Sequence, residues 1–327
     1  MRKWLHHILP ENHRKRKWIA ITISLIFAGG FTVWGIYGIG EYGLALFIFT
    51  PLLLGALPTI LYGLKKELRK MEAWQLSLLT VTIFMAVLAI CAMEGAICIA
   101  MAAPFAFFLS WVGSLIGYGI VKRTPDQMLL LAIWILIASV PATAFIEKDI
   151  EPGTTTVTTS MEIDADAQTV WDNLVSFPQL DAPTEFIFKT GIAYPTDATI
   201  EGSGVGAVRY CNFTTGSFIE PITVWDEPHL LRFDVQQQPA PMKELSFREV
   251  DAPHLHNYFV SQQGQFALST LPNGHTLLVG TTWYTHDIKP GFYWKLWSDH
   301  IIHTIHLRVL KHIKSNAENQ SRISEKQ

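Results

Sequence analysis

Three residues near the C-terminus carry side chains that could do chemistry together. Asp299, His303 and His306 are spaced by four and then three positions. On a helix this places them within roughly 60° of arc. Leu296, Ile302, Leu310 and Ile313 are interleaved with them, so the carboxylate and the two imidazoles sit on an apolar stripe. Such a set suits general acid–base work, contact with the polar group of a ligand, or structural hydrogen bonding. It is also compatible with metal ligation, for which Glu220 or Cys211 would have to complete the shell. A second group lies upstream. With Thr215-Gly216 as a two-residue turn, Phe213 faces Phe218, Cys211 faces Glu220, and Arg209 pairs with Ile222. Period-two alternation then sets Ala207, Arg209, Cys211, Phe213, Phe218, Glu220, Ile222 and Val224 on one face. That face is largely apolar but holds one acid and one base, which could orient a ligand's polar head or form a structural salt bridge.

The elements that must position these residues are legible in outline. Thr154 to Ile163 is rich in Thr and Val and predicts a strand. Asp166 to Phe177 predicts a short helix capped by Asp166, with Val170, Trp171, Leu174 and Val175 on its apolar side. Pro178, Pro183 and Pro195 punctuate the next stretch, which is expected to hold a second short helix. Strands follow at Gly206–Thr214, Ser217–Trp225, Leu230–Val235, Leu255–Val260, Gly264–Leu271 and His275–Thr285. Asn273-Gly274 is a hairpin signal. A long helix is expected from about Pro290 to Ile313, and Gln236 to Met242 reads as a loop.

The first half is of another kind, and the character changes near residue 147. Apolar runs predict five membrane spans, at about 18–39, 44–64, 74–93, 97–121 and 127–146. Residues 1–17 form a basic tail. Further basic residues cluster in 65–70 and at Lys122-Arg123, while the alternate loops around Glu41 and Glu94 carry none. By the positive-inside rule the N-terminus is cytoplasmic, and five spans place the following domain on the outer side. Glu94 reads as the cap of an outer turn, with Cys91 and Cys98 flanking it. Ala106, Ser110, Gly113, Ser114 and Gly117 would let helices approach closely. Pro51, Pro58, Pro104 and Pro141 are expected to kink their helices.

Composition excludes several classes. The net charge of −3 gives no support for nucleic-acid binding. Three cysteines make no disulfide framework. The stretch Glu201-Gly202-Ser203-Gly204-Val205-Gly206 precedes a strand instead of a helix, so no helix N-terminus waits for a phosphate. Nothing calls for a cofactor.

The stretches EIDADAQTVWDNLVSFPQL, EGSGVGAVRYCNFTTGSFIEPITVWDEPHLLRFDV and GTTWYTHDI followed by YWKLWSDHIIHTIHLRVLKHIK carry a resemblance. They are similar to the SRPBCC superfamily of START-like and polyketide cyclase/dehydrase-like proteins, and to its membrane-linked bacterial members. The resemblance covers about residues 155–315. It implies an α+β helix-grip domain at 154–315, a curved antiparallel sheet around the long C-terminal helix, with 316–327 as a disordered tail. It also implies an apolar cavity, for which Phe213, Phe218, Phe266, Trp283, Trp294 and Trp297 supply aromatic walls. The fold class expected is therefore a five-span α-helical membrane bundle joined to a helix-grip domain. The function expected is binding of a lipid or other hydrophobic or amphipathic small molecule by a periplasmic domain on a bacterial inner membrane. The alternatives are a cyclase, dehydratase or hydrolase using Glu220, Asp299, His303 and His306, and a membrane assembly or sensory subunit that binds a protein partner.

Overall fold

The computed structural model describes residues 10–39, 42–64, 67–123, 126–147, 151–243 and 258–324. The chain divides into two units. The first ends at Glu151 and also takes in Ile288–Phe292; the second begins at Pro152 and carries the sheet.

The first unit is helical. Helix α1 (His13–Val33) runs on through a π-helical segment, Trp34–Ile39, and a second π-helical segment, Ala45–Phe49, leads into α2 (Thr50–Gly63). Helices α3 (Lys70–Ile90), α4 (Ala96–Arg123) and α5 (Asp126–Glu147) follow. The basic tail expected over 1–17 is corrected at its inner end. Asn12 caps α1, accepting from the backbone N–H of Arg14 at 3.0 Å, so Arg14 to Lys17 are already helical. Arg16 is buried and lies 5.4 Å over the Tyr62 ring. Part of the basic cluster, Lys65 and Lys66, lies outside the described residues, as does Glu41.

Among the described residues four helices are long and apolar enough to cross a membrane: His13–Gly38, Ala45–Gly63, Lys70–Ile90 and Ala96–Arg123. The expected count of five is corrected to four candidates. Helix α5 stands where the fifth was expected, but its described apolar stretch, Leu131–Ile146, falls short of the roughly 20 residues a bilayer core asks for. Pro51 opens α2 in its first turn, where a proline has no N–H to lose, whereas Pro58, Pro104 and Pro141 lie inside their helices.

Helix α2 is buried from Thr50 to Gly63 at every position but Leu52, and the small residues of α4 explain how. A methyl group at Gly113 would overlap the Leu52 carbonyl, and one at Gly55 would overlap the Ser110 carbonyl. The two backbones touch there, as the spacing of small residues requires. At the turn after α3, Glu94 is buried and accepts from the Tyr42 hydroxyl at 3.0 Å. The loops at Tyr42 and Glu94 thus meet at one end of the unit. Cys91 and Cys98 are not bridged by a disulfide.

The second unit is a seven-stranded antiparallel sheet in the order β1-β7-β6-β5-β4-β3-β2. Its strands are β1 (Thr154–Ile163), β2 (Pro195–Glu201), β3 (Val208–Phe213), β4 (Gly216–Asp226), β5 (Leu230–Asp234), β6 (Phe259–Thr270) and β7 (Thr276–His286). A short helix, α6 (Ala167–Val175), follows β1, capped by Asp166, whose carboxylate accepts from Thr169 N–H at 2.9 Å. The long helix α7 (Gly291–Ser324) closes the chain. This order and this terminal helix form the helix-grip arrangement.

Three expectations change here. The second short helix is a single 3₁₀ turn, Phe186–Thr190, and Pro195 opens β2 instead of breaking a helix. That strand lies at the sheet edge, where a proline's missing donor disturbs no inner ladder. The strands expected at 255–260 and 264–271 are one strand, β6, bulged between Ser261 and Gln263, with 255–257 outside the described residues. The tail expected from 316 is helical through Ser324, tied down by Glu318, which accepts from Asp164 N–H at 3.1 Å.

Core packing explains two more features. Val170, Trp171, Leu174, Ile222, Leu231, Leu310 and Ile313 form one buried cluster between α6, the sheet and α7. A bulge in β4 between Ile222 and Val224 breaks the alternation, so that Trp225, and not Val224, turns to this cluster and meets Trp171 edge-on at 5.5 Å. Gly264 is required because a Cβ there would stand 2.5 Å from the Phe233 ring.

Candidate functional site

The first group of candidate residues lies in the β3–β4 hairpin. Its register differs from expectation by two residues. Phe213 pairs with Gly216, Cys211 with Phe218, and Arg209 directly with Glu220, so Thr214-Thr215 makes the turn. Gly216 adopts φ +140°, a conformation open to glycine. A slip of two leaves every side chain on its face, which is why the expected grouping of Arg209, Cys211 and Glu220 survives.

Arg209 is 2% and Glu220 6% exposed. The guanidinium donates to the Glu220 carboxylate and, through Nε, to the Val175 carbonyl at 3.2 Å. Three aromatic rings enclose it, those of Phe177, Phe233 and Phe266, with centroids 5.5–5.7 Å away. Burial raises the Glu220 carboxyl against the opposing pull of Arg209. Burial, with Glu220 adding to it, pushes the neighbouring Cys211 thiol up to about 12, so it is not a nucleophile near neutrality. Phe213 and Phe218 pack their rings at 4.8 Å and are half-buried. This group fills the core with protein atoms.

The second group lies between α7 and the β1–β7 edge. His306 is half-buried and held at both ring nitrogens: Nδ1 lies 3.1 Å from the Thr159 hydroxyl and Nε2 2.8 Å from the Thr282 hydroxyl. The exposed His303 places its own Nδ1 2.7 Å from the same Thr159 hydroxyl. Burial lowers His306 to about 4, with His303 adding to the shift. One turn earlier, Asp299 accepts from Tyr284 at 2.7 Å and pairs with Lys295 at 3.0 Å. Burial, and then the bond to Asp299, raise the Tyr284 phenol.

The stripe deduced from the D-x3-H-x2-H spacing therefore faces the sheet: His303 and His306 share the Thr159 hydroxyl, while Asp299 goes to Tyr284 and Lys295. Among the described residues no three His, Cys, Asp or Glu side chains are placed to hold a metal ion. The two groups share no hydrogen bond among the described residues. Strands β5 and β6 stand between Glu220 on β4 and Thr282 on β7, a separation of about 14 Å along the sheet.

The aromatic candidates divide. Phe266 reaches Arg209, and Trp294 is buried near the start of α7. Trp297 is half-buried. Trp283 alternates with Thr282 and Tyr284, both of which reach α7, so Trp283 stands on the opposite face of the sheet and does not wall the interior. Sequence reasoning missed Thr159, Thr282 and Tyr284. The threonine-rich runs of β1 and β7 were a signal, because hydroxyls on an inward face need partners.

The chain matches no family model and no curated protein. Among solved structures, its C-terminal half is similar to a protein of Nitrosospira multiformis (16% identity, 51% of this chain and 99% of the other, TM-score 0.34). A norcoclaurine synthase mutant of Thalictrum flavum gives 14% identity over 53% of this chain and 99% of the other, TM-score 0.35. Major latex-like protein 151 of Panax ginseng gives 16% over 50% and 97%, TM-score 0.31. The class of protein is set by topology: a helix-grip unit preceded by apolar helices, four of which, among the described residues, are long enough to cross a membrane.

Proposed function

We propose that the chain is a membrane-anchored binding protein whose helix-grip unit takes a lipid or other amphipathic small molecule. The polar group of that molecule is met by the stripe of Asp299, His303, His306, Thr159, Thr282 and Tyr284. One observation carries the reading: on α7 and the strands it covers, hydroxyls, imidazoles and a carboxylate are gathered on surfaces otherwise given to apolar packing. A patch of that kind orients an amphipathic ligand. The Arg209–Glu220 pair is assigned to structure, because Val175, three rings and the pair itself complete its surroundings.

Native mass spectrometry of the full-length protein in detergent tests this. The wild type should carry a stoichiometric lipid-like mass. His303→Ala should lower its occupancy several-fold with little change in melting temperature, since His303 is exposed. Bare wild-type protein, or full occupancy in both His303→Ala and Thr282→Val, would overturn the reading.

The proposal includes an orientation, with the N-terminus cytoplasmic and the second unit extracytoplasmic. The basic residues near the N-terminus support it. So does a feature internal to the helical unit. Ile288 bridges to Tyr42, and Lys289 N–H donates to the Tyr42 carbonyl at 2.9 Å, at the end of α1 remote from His13. The segment 288–292 is thus held at the same end of the helical unit as the loops at Tyr42 and Glu94. Alkaline phosphatase fused after Gln327 should be active and a cytoplasm-dependent fluorophore dark; the reverse pattern would refute the orientation.

A further inference from the structure

We propose that His303, Thr159, His306 and Thr282 form a proton relay that carries one proton between bulk solvent and an oxygen atom of an amphipathic ligand seated against Thr282. The inference rests on the binding site proposed above and adds acid–base work to it. Three contacts make an unbroken chain: His303 Nδ1 to Thr159 Oγ1 at 2.7 Å, Thr159 Oγ1 to His306 Nδ1 at 3.1 Å, and His306 Nε2 to Thr282 Oγ1 at 2.8 Å. One end is exposed at His303; the other lies under α7.

Hydrogen counting gives the chain two directions. Each hydroxyl has one proton to donate and each neutral imidazole has one N–H. In one direction His303 Nδ1–H donates to Thr159, Thr159 donates to His306 Nδ1, His306 Nε2–H donates to Thr282, and the Thr282 hydroxyl is left to donate to the ligand. In the other, every one of these bonds is reversed. A solvent proton that adds to His303 Nε2 lets its Nδ1 proton pass to Thr159. Thr159 passes its own to His306 Nδ1, His306 passes its Nε2 proton to Thr282, and Thr282 passes its hydroxyl proton to the ligand oxygen. One proton enters, one leaves, and no bond between heavy atoms changes. A ligand oxygen gains a proton, so the class of ligand served is an amphipathic carbonyl or alkoxide-forming compound.

The surroundings suit this. Lowered to about 4 by burial, His306 is neutral near pH 7, as a relay member must be. Titratable groups facing the chain are Asp299 and Lys295 on α7 and Tyr284 on β7; β1 contributes the Thr159 hydroxyl. Asp299 is already committed to Tyr284 and Lys295, so it holds the start of the stripe in place without capping the chain.

The test uses full-length protein labelled with ¹⁵N-histidine and no added ligand, with resonances assigned through His303→Asn and His306→Gln. Protonated His303 must donate from Nδ1, which forces Thr159 to donate to His306 and fixes His306 as the Nε2–H tautomer. Lowering the pH from about 8 to about 5 should therefore remove any Nδ1–H tautomer of His306 and leave the Nε2–H tautomer alone, a coupling read from its two ring-nitrogen shifts. Thr159→Ser should keep this coupling and Thr159→Val should lose it. A His306 still in the Nδ1–H tautomer at about pH 5, or coupling that persists in Thr159→Val, would overturn the relay. The ligand reading would stand or fall separately, on the mass of the purified protein.

Discussion

Glu220→Ala should destabilise the sheet unit by about 3–5 kcal/mol, the largest single-residue loss expected in the molecule. The substitution leaves the Arg209 guanidinium charged and 2% exposed, with the Val175 carbonyl, the Cys211 thiol and three aromatic rings as its remaining company. Cation–π contacts of about 0.5–2 kcal/mol each cannot replace an ion pair at this depth. The double change Arg209→Met, Glu220→Leu should recover most of the loss, because it removes the buried charge together with its partner. Chemical denaturation of the three variants against wild type measures both numbers. A loss below about 1 kcal/mol for Glu220→Ala would mean that water reaches the guanidinium, and that the hairpin face borders a cavity.

The second large effect is on acid stability. Folding lowers His306 from 6.5 to about 4, so the unfolded chain binds a proton there more readily than the folded one. The neutral form's contribution is complete above about pH 6.5 and is lost as the pH falls toward 4. For a half-buried group this is of order 2–3 kcal/mol. His306→Gln keeps hydrogen-bonding capacity and removes the titration, so its stability should vary less with pH across that window. Denaturation midpoints of both proteins at about pH 7 and about pH 4.5 check this. Equal acid sensitivity in the two would place the titrating group elsewhere.

The sequence made periodic features legible and hid those that depend on a partner. β1 is found where its Thr and Val alternation puts it, and Asp166 caps α6 as its position before an apolar run requires. The face shared by Arg209 and Glu220 was visible because alternation survives a two-residue slip, while their direct pairing was hidden because either of two dipeptides could make the turn. The stripe of Asp299, His303 and His306 followed from helical spacing alone. What it would touch did not, since Thr159 is 144 positions from His303 in the chain. Trp283 was misassigned because an aromatic residue beside a cavity-forming element gives no sign of its face until the register of β7 is known. The fifth span was counted on composition, and the described apolar part of α5 is shorter than that count assumed.

The central claim is that an amphipathic molecule sits against α7 and the β1–β7 edge. Photo-crosslinking tests it most directly: a diazirine-bearing fatty acid is incubated with the full-length protein in detergent, and the labelled peptides are identified by mass spectrometry. The account predicts labels on peptides from β1, β7 and the first half of α7, reduced by excess unlabelled fatty acid and weakened in Thr282→Val. Labels confined to residues 18–146, with none displaceable from the sheet unit, would contradict it.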